Sequence, residues 1–273
     1  MHVSYLEMEG AGNRIVVVDQ RRQDLPPPSP EALRRLAGKA AGPAFDQLMW
    51  VGPAAGGDAS YRVFNRDGSE AEQCGNGVRC VAWMLARDGG QRSFVLDGTA
   101  GSVEARILDN GRIAVDMGAP EFEPARIPFD AAGVADRYEL DVGDRTLEVA
   151  VLSMGNPHCV IDVESVADAD VAGLGARIER HPRFPAKTNV GFRQILGRDE
   201  VALRVFERGV GETLACGTGA CAAVVAGRRQ GRLDREVRVR LPGGQLVVSW
   251  QGGGEPVWLT GNAELIQEGA IDL

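Results

Sequence analysis

Cys74-Gly75-Asn76-Gly77-Val78-Arg79-Cys80-Val81-Ala82-Trp83-Met84-Leu85-Ala86-Arg87 and Cys216-Gly217-Thr218-Gly219-Ala220-Cys221-Ala222-Ala223-Val224-Val225-Ala226-Gly227-Arg228 share one pattern. Each opens Cys-Gly-x-Gly and continues for about three helical turns with almost no polar face. A helix that is apolar all round is a buried helix, and both runs are far short of the ~18 apolar residues of a membrane span. The predicted helices cover Asn76–Arg87 and Thr218–Arg228, each enclosed by strands. The two cysteines lie 142 residues apart in a chain of 273, so one supersecondary unit is duplicated. Two similar halves imply a cleft between them, with one cysteine from each. Pro120, Pro124 and Pro128 fall where the crossover between halves belongs.

The surrounding sequence is strand-like. Ile15–Val18, Phe94–Leu96, Val103–Ile107, Ile113–Met117, Leu147–Val151, Val201–Phe206, Val237–Arg240 and Leu246–Trp250 are short β-like runs, several alternating with period two. Gly-rich turns such as Pro242-Gly243-Gly244 separate them. Arg34-Arg35 and Arg177–Arg180 belong to amphipathic surface helices.

Composition narrows the function. Hydrophobic residues make up 44% and charged residues 25%, the values of a globular protein. A formal net charge of −8 argues against nucleic acid or an anionic membrane as partner, since both need a basic footprint. Of 30 basic residues only Lys39 and Lys187 are lysines, and neither context suggests a Schiff base, so pyridoxal phosphate is not expected. The five cysteines read as reduced thiols of a cytoplasmic protein. The opening Met1–Glu7 has neither the basic nor the apolar region of a signal peptide.

A cysteine at a helix start faces unpaired backbone N–H groups and the positive end of the helix dipole, which lowers a thiol pKa. The glycines that follow let the backbone approach a ligand, and the same N–H groups bind carboxylate. Two thiols across a cleft suit inversion at a carbon acid, one removing a proton from one face while the other returns a proton to the opposite face. Donors from two helix N-termini would stabilise the charge building on the substrate carboxylate. Cys80, Cys159 and Cys221 read as packing residues. His158, in Gly155-Asn156-Pro157-His158-Cys159, reads on its own as a loop histidine, and its company raises the chance that it tunes a cysteine by charge or hydrogen bond. Arg208, in Glu207-Arg208-Gly209-Val210-Gly211-Glu212-Thr213, could clamp a second carboxylate. Asn13, Gln47, Asn65 and Asn189 lie in or beside turns.

Phe64–Cys80, Met154–Val160 and Glu207–Gly219 resemble the three signatures of bacterial diaminopimelate epimerase in order, spacing and overall length. The resemblance implies an α+β fold of two pseudosymmetric domains, each a β-sheet wrapped around a central buried helix. Residues 1–118 with 262–273 would form the first domain and 119–261 the second. It implies interconversion of LL- and meso-diaminopimelate for lysine and peptidoglycan synthesis, without cofactor or metal, by a homodimer. By position Cys74 would be the proton donor and Cys216 the acceptor from LL to meso, with His158 and Glu207 modulating the thiols. Asn13, Gln47, Asn65, Asn156, Asn189, Glu207 and Arg208 would bind substrate, and Gly75-Asn76 and Gly217-Thr218 would hold the reacting carboxylate.

The chain also departs from that family. Its usual start, Lys-Met-His-Gly-x-Gly-Asn-Asp-Phe, is here Glu7-Met8-Glu9-Gly10-Ala11-Gly12-Asn13-Arg14-Ile15. Ala44 and Val190 stand where glycine and alanine are usual. A proline racemase or hydroxyproline epimerase is the nearest rival, but those usually carry histidine at the place of Asn76. A structural zinc site from Cys74, Cys80, Cys216, Cys221 and His158 lacks Cys-x-x-Cys spacing. A dinucleotide loop at Gly217–Ala222 lacks a strand leading straight into it.

Overall fold

Ala11 and Gly12 turn the chain between the first two strands, β1 (His2–Gly10) and β2 (Asn13–Asp19), with φ of +56° and +81°. Two successive positive φ values match the right-handed twist of the flanking strands, and Gly10 pairs with Asn13 across the turn. The computed structural model describes residues 2–21, 25–38, 43, 45–71 and 73–272, so Lys39 and Ala44 lie outside the described residues.

The chain divides into two units, Met1–Asp116 with Thr260–Leu273, and Met117–Leu259. The first continues with α1 (Pro30–Gly38), β3 (Gln47–Gly52), β4 (Ala59–Asn65), β5 (Glu70–Ala71), α2 (Gly75–Gly89), β6 (Ser93–Gly98), β7 (Gly101–Ile107) and β8 (Ile113–Asp116). The second holds β9 (Tyr138–Asp141), β10 (Thr146–Ser153), β11 (Pro157–Asp162), α3 (Val171–Glu179), β12 (Asn189–Gly197), β13 (Glu200–Glu207), β14 (Gly211–Thr213), α4 (Gly217–Arg229), β15 (Glu236–Leu241) and β16 (Gly244–Trp250). After β17 (Val257–Gly261), β18 (Glu264–Asp272) pairs antiparallel with β1.

The pairing order repeats. In the first unit β1–β2 is antiparallel, β2–β3 parallel across the α1 connection, β3–β4 and β4–β5 antiparallel, β4–β6 parallel and β6–β7 antiparallel. In the second, β10–β11 is antiparallel, β11–β12 parallel across α3, β12–β13 and β13–β14 antiparallel, β13–β15 parallel and β15–β16 antiparallel. The duplication read from Cys-Gly-x-Gly therefore extends from β1–β7 to β10–β16. The fold is α+β, each sheet wrapped around one helix.

Those helices are α2 and α4. Gly75–Leu85 are buried except Trp83, and α2 packs on β1, β2, β3, β7 and β8. Gly219–Gly227 are buried without exception, and α4 packs on β10, β11, β12, β13 and β16. Burying the larger apolar side chains, such as Val81 and Leu85, stabilises by roughly 1.5–3 kcal/mol each. Small residues let strands approach closely: a Cβ at Gly77 would lie 2.3 Å from Met49 Sδ of β3. The second glycine of that Cys-Gly-x-Gly thus answers to packing, a correction to the reading that both glycines serve ligand approach.

Ala11 holds a left-handed conformation that costs a non-glycine residue energy. Ala11→Gly should raise unfolding stability by about 0.5–1 kcal/mol in urea titration. A loss of stability would mean that the turn carries no strain.

Candidate active site

In the first unit the expected residues gather at strand ends around the start of α2. Asn13 opens β2, Gln47 opens β3 and Asn65 closes β4. Gln47 pairs with Ile15 on one side and with Asn65 on the other, where its amide donates to Asn65 Oδ1 at 3.1 Å. Gly10 brings Asn76 to the same end, since a Cβ there would lie 3.6 Å from the Asn76 Cβ. Cys74 is the N-cap of α2, and its sulfur accepts from the Gly77 N–H at 3.2 Å. The backbone thus offers a donor to the thiol, as a helix start should.

Arg79 has no role in the sequence reading beyond its place in the buried helix. It is fully buried in α2, donating to Asn76 Oδ1 at 2.8 Å and to the Asn262 carbonyl at 3.1 Å. Because guanidinium is donor-only, this contact fixes which end of the Asn76 amide is oxygen. The i, i+3 spacing of Asn76 and Arg79 was the available signal.

In the second unit the corresponding positions form a connected chain. His158 lies buried on β11, not in a loop, and pairs with Asn189 at the start of β12. Its Nε2 is 2.9 Å from Asn156 Oδ1, and Asn156 Nδ2 is 3.4 Å from the Thr218 hydroxyl. That hydroxyl is 3.6 Å from Cys216 Sγ. Glu207 ends β13 with its carboxyl hydrogen-bonded by the Thr213 hydroxyl at 2.5 Å and by the Cys216 thiol.

These surroundings set protonation. Burial, reinforced by the Arg208 charge, pushes the His158 pKa down to about 3, so it is neutral at working pH. It can therefore act on its neighbours through a hydrogen bond, not a charge. Burial raises the Glu207 carboxyl above its usual range, opposed by Thr213 and Cys216. Cys216 is raised well above an ordinary thiol, by burial first and by the Glu207 charge second, against the Thr218 hydroxyl and Gly219 N–H. This corrects the expectation of a lowered pKa there: desolvation outweighs the helix start. Burial also raises Cys80, to about 12, and Cys159, as inert packing thiols require. None of the five cysteines forms a disulfide.

Arg208 is exposed, and its Nη1 donates to the Ala186 carbonyl at 3.2 Å. Its own N–H donates to Asn189 Oδ1 at 2.9 Å, while the Asn189 amide donates to the Pro157 carbonyl. Among the described residues no group of three or more His, Cys, Asp or Glu side chains could hold a metal ion, and no helix is long and apolar enough to cross a membrane.

Two of the departures at the chain start, Glu7 and Arg14, meet across the hairpin. Arg14 Nη1 donates to Glu7 Oε1 at 2.7 Å, and the buried Glu7 carboxylate also accepts from Gln267 at 2.6 Å. Where the usual pattern has lysine and then aspartate, this hairpin carries the pair with signs exchanged. Ile15 and Val190 are both fully buried.

A family model described as diaminopimelate epimerase matches residues 5–123 and 150–266. Diaminopimelate epimerases of Alkalilimnicola ehrlichii and Laribacter hongkongensis are each 49% identical over 279 residues, covering all of both chains. That of Halorhodospira halophila is 50% identical over 275 residues, covering 98% of this chain and 95% of its own. Among solved structures, a hydroxyproline epimerase from Agrobacterium vitis superposes with a TM-score of 0.70 at 17% identity, over 99% of this chain and 92% of its own. A PhzF-family phenazine biosynthesis protein of Bacillus anthracis gives 0.67 at 18%, over the whole of both chains. At such identities the likeness is one of fold.

Two measurements check the electrostatics. The folded His158 pKa lies below the ~6.5 of a free histidine, so below pH 6.5 the unfolded chain takes up the proton first and stability falls with pH. Wild type should therefore lose up to about 1.4 kcal/mol more per pH unit than His158→Gln between pH 6.5 and 4. Glu7→Lys and Arg14→Asp should each cost about 1–3 kcal/mol, and the double exchange less than their sum.

Proposed function

Because the chain belongs to the diaminopimelate epimerase family, we propose that it interconverts LL- and meso-2,6-diaminopimelate by proton transfer between two cysteines and the α-carbon. The observation that carries this reading is the repeated helix start: Cys74 and Cys216 are each the N-cap of a buried helix.

From LL to meso, Cys216 takes the α-proton and Cys74 returns one to the opposite face. Cys216 and Glu207 are hydrogen-bonded and both raised, so they titrate as one pair. The thiol becomes a base when their shared proton sits on the carboxylate. Thr213, donating to that carboxylate, opposes this state. Neutral His158 donates to Asn156 Oδ1 and so turns the Asn156 amide towards Thr218.

The reacting carboxylate would take the N–H groups of Gly75-Asn76 and Gly217-Thr218, where helix dipoles stabilise the charge that develops as the proton leaves. Arg208 with Asn13, Gln47, Asn65, Asn156 and Asn189 would hold the substrate and its distal amino-acid group. A substrate lacking that group leaves these donors unpaired and is rejected. On the same reading the enzyme is a cytoplasmic homodimer that needs neither pyridoxal phosphate nor metal and has no nucleic-acid or membrane partner.

Turnover of LL-diaminopimelate in heavy water tests the scheme, with isotope expected at the inverted centre. Cys74→Ala and Cys216→Ala should each lower inversion by about 10³-fold or more while remaining folded. Substantial epimerisation by both variants would refute the two-cysteine mechanism, and inversion of proline without diaminopimelate turnover would refute the substrate.

A further inference from the structure

Glu179 is an unexpected residue where it stands. It ends α3, where the helix dipole disfavours a negative charge, and it is only 2% exposed. Burying a carboxylate costs several kcal/mol unless donors meet it. Helix energetics therefore do not account for it, and its contacts must.

The Glu179 Oε1 accepts the Gly209 N–H at 2.7 Å, and Oε2 lies 3.4 Å from Arg180 Nε. Gly209 belongs to the three-residue turn Arg208-Gly209-Val210 that joins β13 to β14, closed by the Val210 N–H on the Glu207 carbonyl. Its φ of +77° is glycine territory. The preceding N–H, that of Arg208, is held by Asn189 Oδ1 at 2.9 Å. The peptides on both sides of Arg208 are thus fastened to buried side chains of α3 and β12, while the guanidinium stays exposed.

We infer that Glu179 is a positioning residue for substrate binding: with Asn189 it fixes the backbone of Arg208, so that the guanidinium meets the distal carboxylate of the substrate already oriented. The inference rests on the functional reading above and adds to it a residue that touches no substrate. The hydrogen bond does this work, not the charge. An amide at 179 keeps the acceptor, and an apolar side chain of equal size removes it.

The test compares wild type, Glu179→Met and Glu179→Gln. For diaminopimelate, Glu179→Met should raise KM about 10-fold or more with kcat within about 3-fold, the signature of lost binding. Glu179→Gln should stay within about 3-fold of wild type in both. Hydrogen exchange at the Gly209 amide of the substrate-free protein should accelerate at least ~10-fold in Glu179→Met and not in Glu179→Gln. Should the methionine variant not fold, Glu179→Asp, one methylene short of the turn, carries the same expectations. An unchanged KM in an active Glu179→Met, equal KM losses in Met and Gln, or unchanged exchange at Gly209 would each overturn the inference. Wild type inert towards diaminopimelate would overturn the functional reading instead, with the exchange measurement still deciding the role of Glu179.

Discussion

A helix without a polar face cannot lie on a protein surface, and the rest of this structure follows from enclosing two of them. Strands must close around α2 and α4 on nearly every side. The first turn of such a helix has N–H groups without partners inside the helix, as its last turn has carbonyls. Those N–H groups come out at the ends of the strands, among Asn13, Gln47 and Asn65 in one unit and Asn156, Asn189 and Glu207 in the other. On the proposed function, a binding site for anions is thus a by-product of burying the helix, and the cysteine N-caps would make it a reactive one.

The two copies have diverged at that site. Around Cys74 the neighbours are amides and a buried arginine, and the thiol is held by a backbone N–H. Around Cys216 they include a carboxyl group and a hydroxyl, with a neutral imidazole linked to that hydroxyl through Asn156. A reversible two-base reaction passes through the same thiols in both directions but needs one proton fewer than it has sulfurs and carboxylates. On the proposed mechanism that balance is adjusted in the copy with Glu207, where carboxyl and thiol compete for one proton in a dehydrated space.

The sequence disclosed patterns that depend on neighbours along the chain. Both buried helices, the strands with period-two alternation and the positions of Asn13, Gln47, Asn65 and Asn189 beside turns were legible. His158 was not placed correctly, because Asn-Pro before it reads as a turn while β11 begins at Pro157. The Cys216 pKa went the wrong way because helix-start effects are visible in sequence and desolvation is not. Glu179 is illegible for a related reason: a charged residue is exposed by default, and only tertiary packing reveals that this one is buried.

The exchanged pair Glu7–Arg14 shows how far such a site tolerates change. Each substitution alone would bury a charge beside a like one, next to the substrate-binding asparagine proposed at position 13. Made together they preserve the contact across the β1–β2 hairpin, and Gln267 of β18 holds the second oxygen of the carboxylate. What the pair does is tie β1 to the strand that carries Asn13, and nothing in that task fixes its polarity. The chemistry at the helix starts has no such freedom. A thiol and N–H groups cannot trade roles, and Cys74, Cys216 and their glycines keep the same motif in both halves.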